Sequence, residues 1–240
     1  LSEGGLINDG EISTRLGLQG IPALAEKIIV ERDLSFLEEY FCRYHISQVS
    51  SEKTISTIRK AKEEGKIFTA GVSINNLSLN ENDIGDFKTF LKLSPPLRTE
   101  SDRLSLIDGI NDGSIDVIVS DHKPEDEESK RLTFEQAATG AAGVETLLPL
   151  ALELFHNKSI KLEKLIATIT SNPAKILKLN KGSLDIGSDA DLCVLDINKS
   201  WIVKKNELRS KSKNTPIENR TLQGQITMTF VKGQIAFDRR

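Results

Sequence analysis

Between His45 and Leu179, short β-branched runs alternate with stretches whose apolar residues recur every three or four positions. The first pattern predicts buried strands, the second amphipathic helices. Strands are predicted at His45–Val49, Lys66–Val72 and Ile115–Ser120. Ile55, Ile58 and Ala61 share one helical face, with Ser50 and Ser51 as candidate caps and Gly65 as the stop. Pro22 suits a first helical position before Ala23–Arg32, and Asp33 or Ser35 can cap a further helix to about Arg43. Thr99 and Asp102 read as a capping box opening a helix to about Ile110. Further helices are predicted at Gly143–His156, Leu162–Thr170 and Pro173–Leu177. Residues 1–20, Gly-rich and polar, read as a long loop.

Alternating strand and helix predict a parallel α/β architecture. The texture then changes. Glycines punctuate the short β runs Ala190–Leu195, Trp201–Val203, Gln225–Val231 and Gln234–Phe237, with a tight turn at Lys232-Gly233. The expected division is an α/β unit over residues 1–179 and a small β-rich domain over 180–240.

A net charge of −3 and a pI near 5.8 give no electrostatic footprint for nucleic acid or an anionic membrane. No apolar run approaches the roughly 18 residues of a membrane span, and no signal peptide is visible. Cys42 and Cys193 read as two reduced, buried thiols, which implies a cytoplasmic setting. The chain enters directly at Leu1-Ser-Glu-Gly-Gly, so further residues are expected upstream.

The candidate chemistry centres on Ile115-Asp-Val-Ile-Val-Ser-Asp-His-Lys-Pro124. A buried strand ends there in an acid and a histidine. In a (β/α)8 barrel, catalytic groups sit at that carboxyl end. Asp121 can hold a divalent ion and take a proton from its bound water, or it can simply cap the next loop. His45 and Gln48 differ in strand parity, so they cannot both face a barrel interior, and a lone strand histidine suits a structural role. Arg98, after Pro95-Pro96, suits either bidentate capture of a carboxylate or a solvated connector. Ser73-Ile-Asn-Asn76 suits amide contacts to a ligand or turn chemistry. Arg209-Ser-Lys-Ser-Lys213 reads as a solvated loop. The chain has three histidines, and a catalytic zinc site wants about three protein ligands, so these residues do not complete one.

Several segments fit one pattern in order. They are Glu3-Gly-Gly-Leu-Ile-Asn-Asp-Gly, Leu16-Gly-Leu-Gln-Gly-Ile-Pro with Ala25-Glu26, Tyr44-His-Ile-Ser-Gln-Val-Ser and Pro95-Pro-Leu-Arg. Gly113-Ser-Ile-Asp-Val-Ile-Val-Ser-Asp-His-Lys-Pro, Gly143-Val-Glu-Thr, Asn172-Pro-Ala, Ala190-Asp-Leu and Asn214-Thr-Pro continue the series. The chain thus resembles the dihydroorotases of the longer bacterial type, in the amidohydrolase superfamily. The resemblance implies the second half of a (β/α)8 barrel plus a small β domain, with zinc as cofactor. It implies reversible closure of N-carbamoyl-L-aspartate to dihydroorotate. In that chemistry the carboxylate matched by Asp121 binds metal, takes a proton from the metal-bridging hydroxide and passes it to the leaving nitrogen.

The chain departs from the family at chemical positions. Gln48 stands where the family has a histidine ligand, and Ser94 where it has a substrate-contacting asparagine. Glu125 replaces a histidine, and Asn75 and Asn76 replace a His-His pair. Ala138 and Thr139 match the loop that lays main chain against the substrate, without its usual proline. A carboxylate at Glu125 facing a dianionic substrate costs about 1 kcal/mol or more. These departures point to an impaired metal site and a structural role beside aspartate carbamoyltransferase, with self-association also compatible. The alternatives are an active metal-dependent dihydroorotase and a cyclic-amide hydrolase of hydantoinase-like specificity.

Overall fold

The computed structural model describes residues 3–239. Leu1 and Ser2, the start of the expected long loop, lie outside them. That loop is not unbroken: it carries β1 (Ile7–Asn8), a short helix α1 (Glu11–Leu16) and β2 (Gly20–Ile21). β1 and β2 pair in parallel. Two-residue strands are too short to show a period, which is why the pattern hid them.

Helix α2 (Ala23–Glu39) follows Pro22 and runs unbroken past Asp33 and Ser35. The expected second cap does not form. Ser35 Oγ donates back to the Glu31 carbonyl at 2.9 Å, and Asp33 accepts from Arg32 and from the Tyr44 hydroxyl. Val30 and Leu34, one turn apart, keep the same face buried through that region.

Strands β3 (His45–Val49), β4 (Thr69–Ser73) and β5 (Val117–Val119) form a parallel sheet in that order. Helices α3 (Glu52–Glu63), α4 (Ile74–Ser78) and α5 (Glu100–Asp112) connect them. Ser51 caps α3 by accepting from the Thr54 amide, and Thr99 and Asp102 form the expected capping box at α5. Val49, Ala70, Val72, Val117 and Ile118 carry the sheet side of the core. Ile55, Ile58, Leu106 and Ile110 pack the helix side. Strict alternation fails in β3: Ile46 and Val49 are both buried because the register against β4 shifts between them.

The short helix α6 (Glu127–Lys130) precedes a run of turns. Helices α7 (Leu147–His156), α8 (Leu162–Ile169) and α9 (Ser171–Ile176) complete the helical part. Residues 143–146, expected as the first turn of α7, are a separate turn.

Strands β6 (Leu192–Ile202), β7 (Thr221–Val231) and β8 (Gln234–Asp238) form an antiparallel sheet. Two expected β runs are thus one strand, β6, whose pairing with β7 shifts register between Val194 and Leu195 and between Asp196 and Ser200. The sheet rests on α7. Gly224 lies so close that a Cβ there would sit 2.3 Å from Leu152 Cδ1. Arg220 pairs with Glu153 at 2.8 Å, and the Trp201 indole donates to the Gly224 carbonyl. Cys42 and Cys193 are free but exposed, against the expectation of burial. No helix among the described residues is long and apolar enough to cross a membrane.

The candidate site at the strand ends

The carboxyl ends of the parallel strands are laced together by Arg98. Its side chain is 3% exposed. Its Nη1 donates to Asn8 Oδ1 at 2.7 Å and to the Ile21 carbonyl, and its Nε to Ser50 Oγ at 3.1 Å. Those partners end β1, end β2 and follow β3. Asn8 in turn donates to Glu81 Oε2 at 2.6 Å. Burial lowers the Arg98 pKa, while Glu26, Asp102, Glu81 and Asp9 favour its charge. Arg98 is therefore neither a free carboxylate clamp nor a solvated connector. Glu26 completes the girdle by accepting from the Ser50 and Ser51 amides at the start of α3, where a carboxylate complements the helix dipole.

Asp121 lies just beyond β5 in a left-handed conformation, φ 47°, with its side chain 5% exposed. Lys123 Nζ lies 3.3 Å from its Oδ1. The same ammonium donates to the Ser94 carbonyl at 3.1 Å. Asp121 and Ser94 are thus brought together through Lys123. Ser94 itself is exposed and precedes a cis Pro95.

The remaining expected loop residues, Glu125, Ala138 and Thr139, sit around a polar lattice. Lys130, 1% exposed, donates to the Ala138 carbonyl at 2.7 Å and the Gly140 carbonyl at 3.0 Å. Burial pushes its ammonium down to about 8, against the pull of Glu125, and the neighbouring Lys92 adds to the depression. From the other side, Asn214 donates to the Gly140 carbonyl at 3.2 Å and the Lys123 carbonyl at 3.4 Å. Its Oδ1 accepts from the Glu125 amide at 3.3 Å. Ser212 Oγ donates to the Glu125 carbonyl. His122 faces this turn too: its Nδ1 accepts from the Gly143 amide at 3.1 Å and Val144 at 3.4 Å. That nitrogen has no lone pair left for a metal. Gly143 can have no side chain, since a Cβ would meet the Ser120 carbonyl oxygen at 2.5 Å.

Other expected residues stand apart. Gln48 is on β3, separated from β5 by β4. His45 begins β3, at the opposite end from the site, with Nδ1 2.7 Å from Thr69 Oγ1, and burial lowers its pKa. This is the structural role expected of it. Ser73 caps α4, so Ser73–Asn76 is helix-start chemistry. Asn76 donates to the Pro96 carbonyl at 2.9 Å, and the buried Asn75 amide nitrogen has no partner among the described residues.

Zinc takes soft or borderline donors, commonly three from the protein at a catalytic site. Among the described residues no group of three or more His, Cys, Asp or Glu side chains comes together. Asp121 is ion-paired, Gln48 offers a neutral amide, and His122 Nδ1 is engaged. The residues present do not fit a zinc ion on their own.

Sequence reasoning quoted Lys123 and Asn214 within motifs but gave neither a role, and did not single out Lys130. Charged residues on a loop read as solvated. Only Lys130 carried a faint signal, since it falls between Ser129 and Arg131 in a charged stretch yet one turn before the apolar Phe134.

The amidohydrolase family profile matches residues 21–236. The chain is 42% identical over 238 residues to a dihydroorotase of Ehrlichia canis (strain Jake), covering 99% of this chain and 53% of that one. It is 43% identical over 237 residues to a dihydroorotase of Syntrophus aciditrophicus (strain SB), covering 99% and 56%. The chain therefore spans about half the length of the curated relatives it matches. Among solved structures, the L-hydantoinase (dihydropyrimidinase) of Arthrobacter aurescens superimposes with a TM-score of 0.86 at 29% identity, over 96% of this chain and 52% of that one. A dihydropyrimidinase from Brevibacillus agri NCHU1002 superimposes with a TM-score of 0.85 at 21% identity, over 90% and 49%, which speaks for the fold alone. Parallel strands with connecting helices, an acid beyond the last of them, and likeness to dihydroorotases over nearly the whole chain agree: the chain belongs to the amidohydrolase family and forms part of its (β/α)8 barrel, with a β-rich sheet beside it.

Proposed function

We propose that this chain is the Asp121-bearing part of a dihydroorotase-like protein of pyrimidine biosynthesis whose role is structural, as a partner of aspartate carbamoyltransferase, and not catalytic. The observation that carries the reading is Asp121 itself. Its carboxylate is ion-paired with Lys123 instead of converging with other metal-holding side chains among the described residues. The packing residues Arg98, Lys130 and Asn214 each hold two or more oxygens. A scaffold needs the second set and tolerates loss of the first. The reading includes a cytoplasmic setting, supported by the two free thiols. It also treats residues 180–240 as a small domain of their own.

The test is turnover by full-length, zinc-loaded protein on dihydroorotate and N-carbamoyl-L-aspartate, beside sedimentation with aspartate carbamoyltransferase. The expected result is co-sedimentation with turnover far below the ordinary enzyme range of about 1–1000 per second. Turnover within that range overturns the reading.

An active dihydroorotase is the second reading. It is favoured by 43% identity to a dihydroorotase across 99% of this chain and by the burial of Asp121 beyond a barrel strand. Ligands from the rest of the protein would then complete the metal site. Hydantoinase-like specificity rests on the structural match at 29% identity, and a panel of cyclic ureides tests it.

A further inference from the structure

The Asp121 side chain is 5% exposed, and a carboxylate taken out of water is stabilised by a charged or hydrogen-bonding partner. In a metal-dependent site that partner is the ion. Here the space on Asp121 Oδ1 holds the Lys123 ammonium at 3.3 Å. The ammonium reaches a second oxygen, the Ser94 carbonyl, at 3.1 Å. It therefore joins the end of β5 to the Pro95-Pro96 loop through two oxygen donors, one of them anionic.

Lys123 is also held in place from its own backbone. Its amide donates to the Ala141 carbonyl at 2.8 Å, and its carbonyl accepts from Asn214 at 3.4 Å. The left-handed turn at Asp121 starts the segment that returns residue 123 to the carboxylate. These bonds fix the Lys123 backbone, and its half-exposed side chain reaches from there to the buried Asp121 carboxylate.

We infer that Lys123 is the resident cation of this site: its ammonium occupies the position on Asp121 that a divalent ion would need. The inference rests on the structural reading above and gives it a cause. A divalent ion and an ammonium contesting one carboxylate repel each other, so the lysine both neutralises Asp121 and excludes the ion. A neutral Gln48 and an engaged His122 Nδ1 leave little to favour the ion in return.

The experiment measures zinc affinity and thermal unfolding of the full-length protein, with Lys123→Met, Lys123→Arg, Asp121→Asn and the Asp121→Asn/Lys123→Met double variant. Zinc affinity is expected to rise at least tenfold in Lys123→Met and to fall back in the double variant. Lys123→Arg, which keeps the charge, is expected to match the wild type. In unfolding, Asp121→Asn and Lys123→Met are each expected to lower the midpoint by more than the double variant does relative to either single change. No rise in zinc affinity in Lys123→Met overturns the inference. So does wild-type zinc uptake that Asp121→Asn abolishes, or strictly additive effects on unfolding. Absence of co-sedimentation with aspartate carbamoyltransferase, with zinc still excluded and the Asp121–Lys123 coupling intact, would sink only the structural reading, so the two failures are distinguishable.

Discussion

Lys130 and Asn214 donate to the same oxygen, the carbonyl of Gly140, at 3.0 and 3.2 Å. One comes from a four-residue helix just before the loop, the other from 74 residues downstream. Between them they fix the loop that carries Ala138 and Thr139. Two donors on one buried carbonyl use both of its lone pairs.

Lys130 should make stability depend on alkaline pH. Its folded pKa is about 8 against 10.5 in the ordinary state, lowered by burial. Between those values the unfolded chain binds more protons than the folded one, so stability rises with pH. The gain of wild type over Lys130→Met should grow by about 2 kcal/mol from pH 7.5 to 9.5. Urea unfolding of both proteins at the two pH values measures it. A pH-independent difference would mean that the ammonium is not held in a desolvated state.

Asn214→Ala should destabilise by about 2–3 kcal/mol, because it removes a buried amide with several partners. Its local signature is sharper. The Glu125 amide donates to the Asn214 side chain, whereas the Ala142 amide donates to the Asn214 backbone carbonyl. Hydrogen exchange at Glu125 should therefore accelerate more than at Ala142.

Gly143→Ala should cost about 2–3 kcal/mol, since the new methyl carbon would meet the Ser120 carbonyl oxygen at 2.5 Å. The turn must shift, and the Gly143 amide then leaves His122 Nδ1. The imidazole nitrogen chemical shift of His122 should move in the variant. An unchanged shift would show that the turn absorbs the methyl elsewhere.

Arg98→Lys should cost about 2–4 kcal/mol even though it keeps the charge. One ammonium on a flexible stem cannot reproduce the guanidinium's reach to Asn8, Ile21 and Ser50 together. Guanidinium chloride unfolding should show a lower midpoint with an unchanged slope. A neutral result would mean that the strand ends are held without Arg98.

Elements with a period long enough to count were readable in the chain. α3 and α5 announce themselves by caps at Ser51 and Thr99 and by apolar spacing. β3, β4 and β5 are placed to within a few residues, and Asp121 is readable as the acid at a strand's carboxyl end. β1, β2 and α1 were not, because their few residues carry no period. The second cap expected at Asp33 or Ser35 failed because both side chains found partners elsewhere.

The sequence by itself determined the order of the longer strands and helices between β3 and α9, the parallel architecture and the family, all of which follow from local patterns and short motifs. Tertiary structure alone decided the partners of the charges. Nothing along the chain says that Lys123 turns back onto Asp121, that Lys130 is buried against two carbonyls, or that Arg98 joins three strand ends. A charged side chain on a loop looks the same in sequence whether water or protein solvates it. The difference arises only when folding removes the water, and then geometry selects which oxygen takes its place.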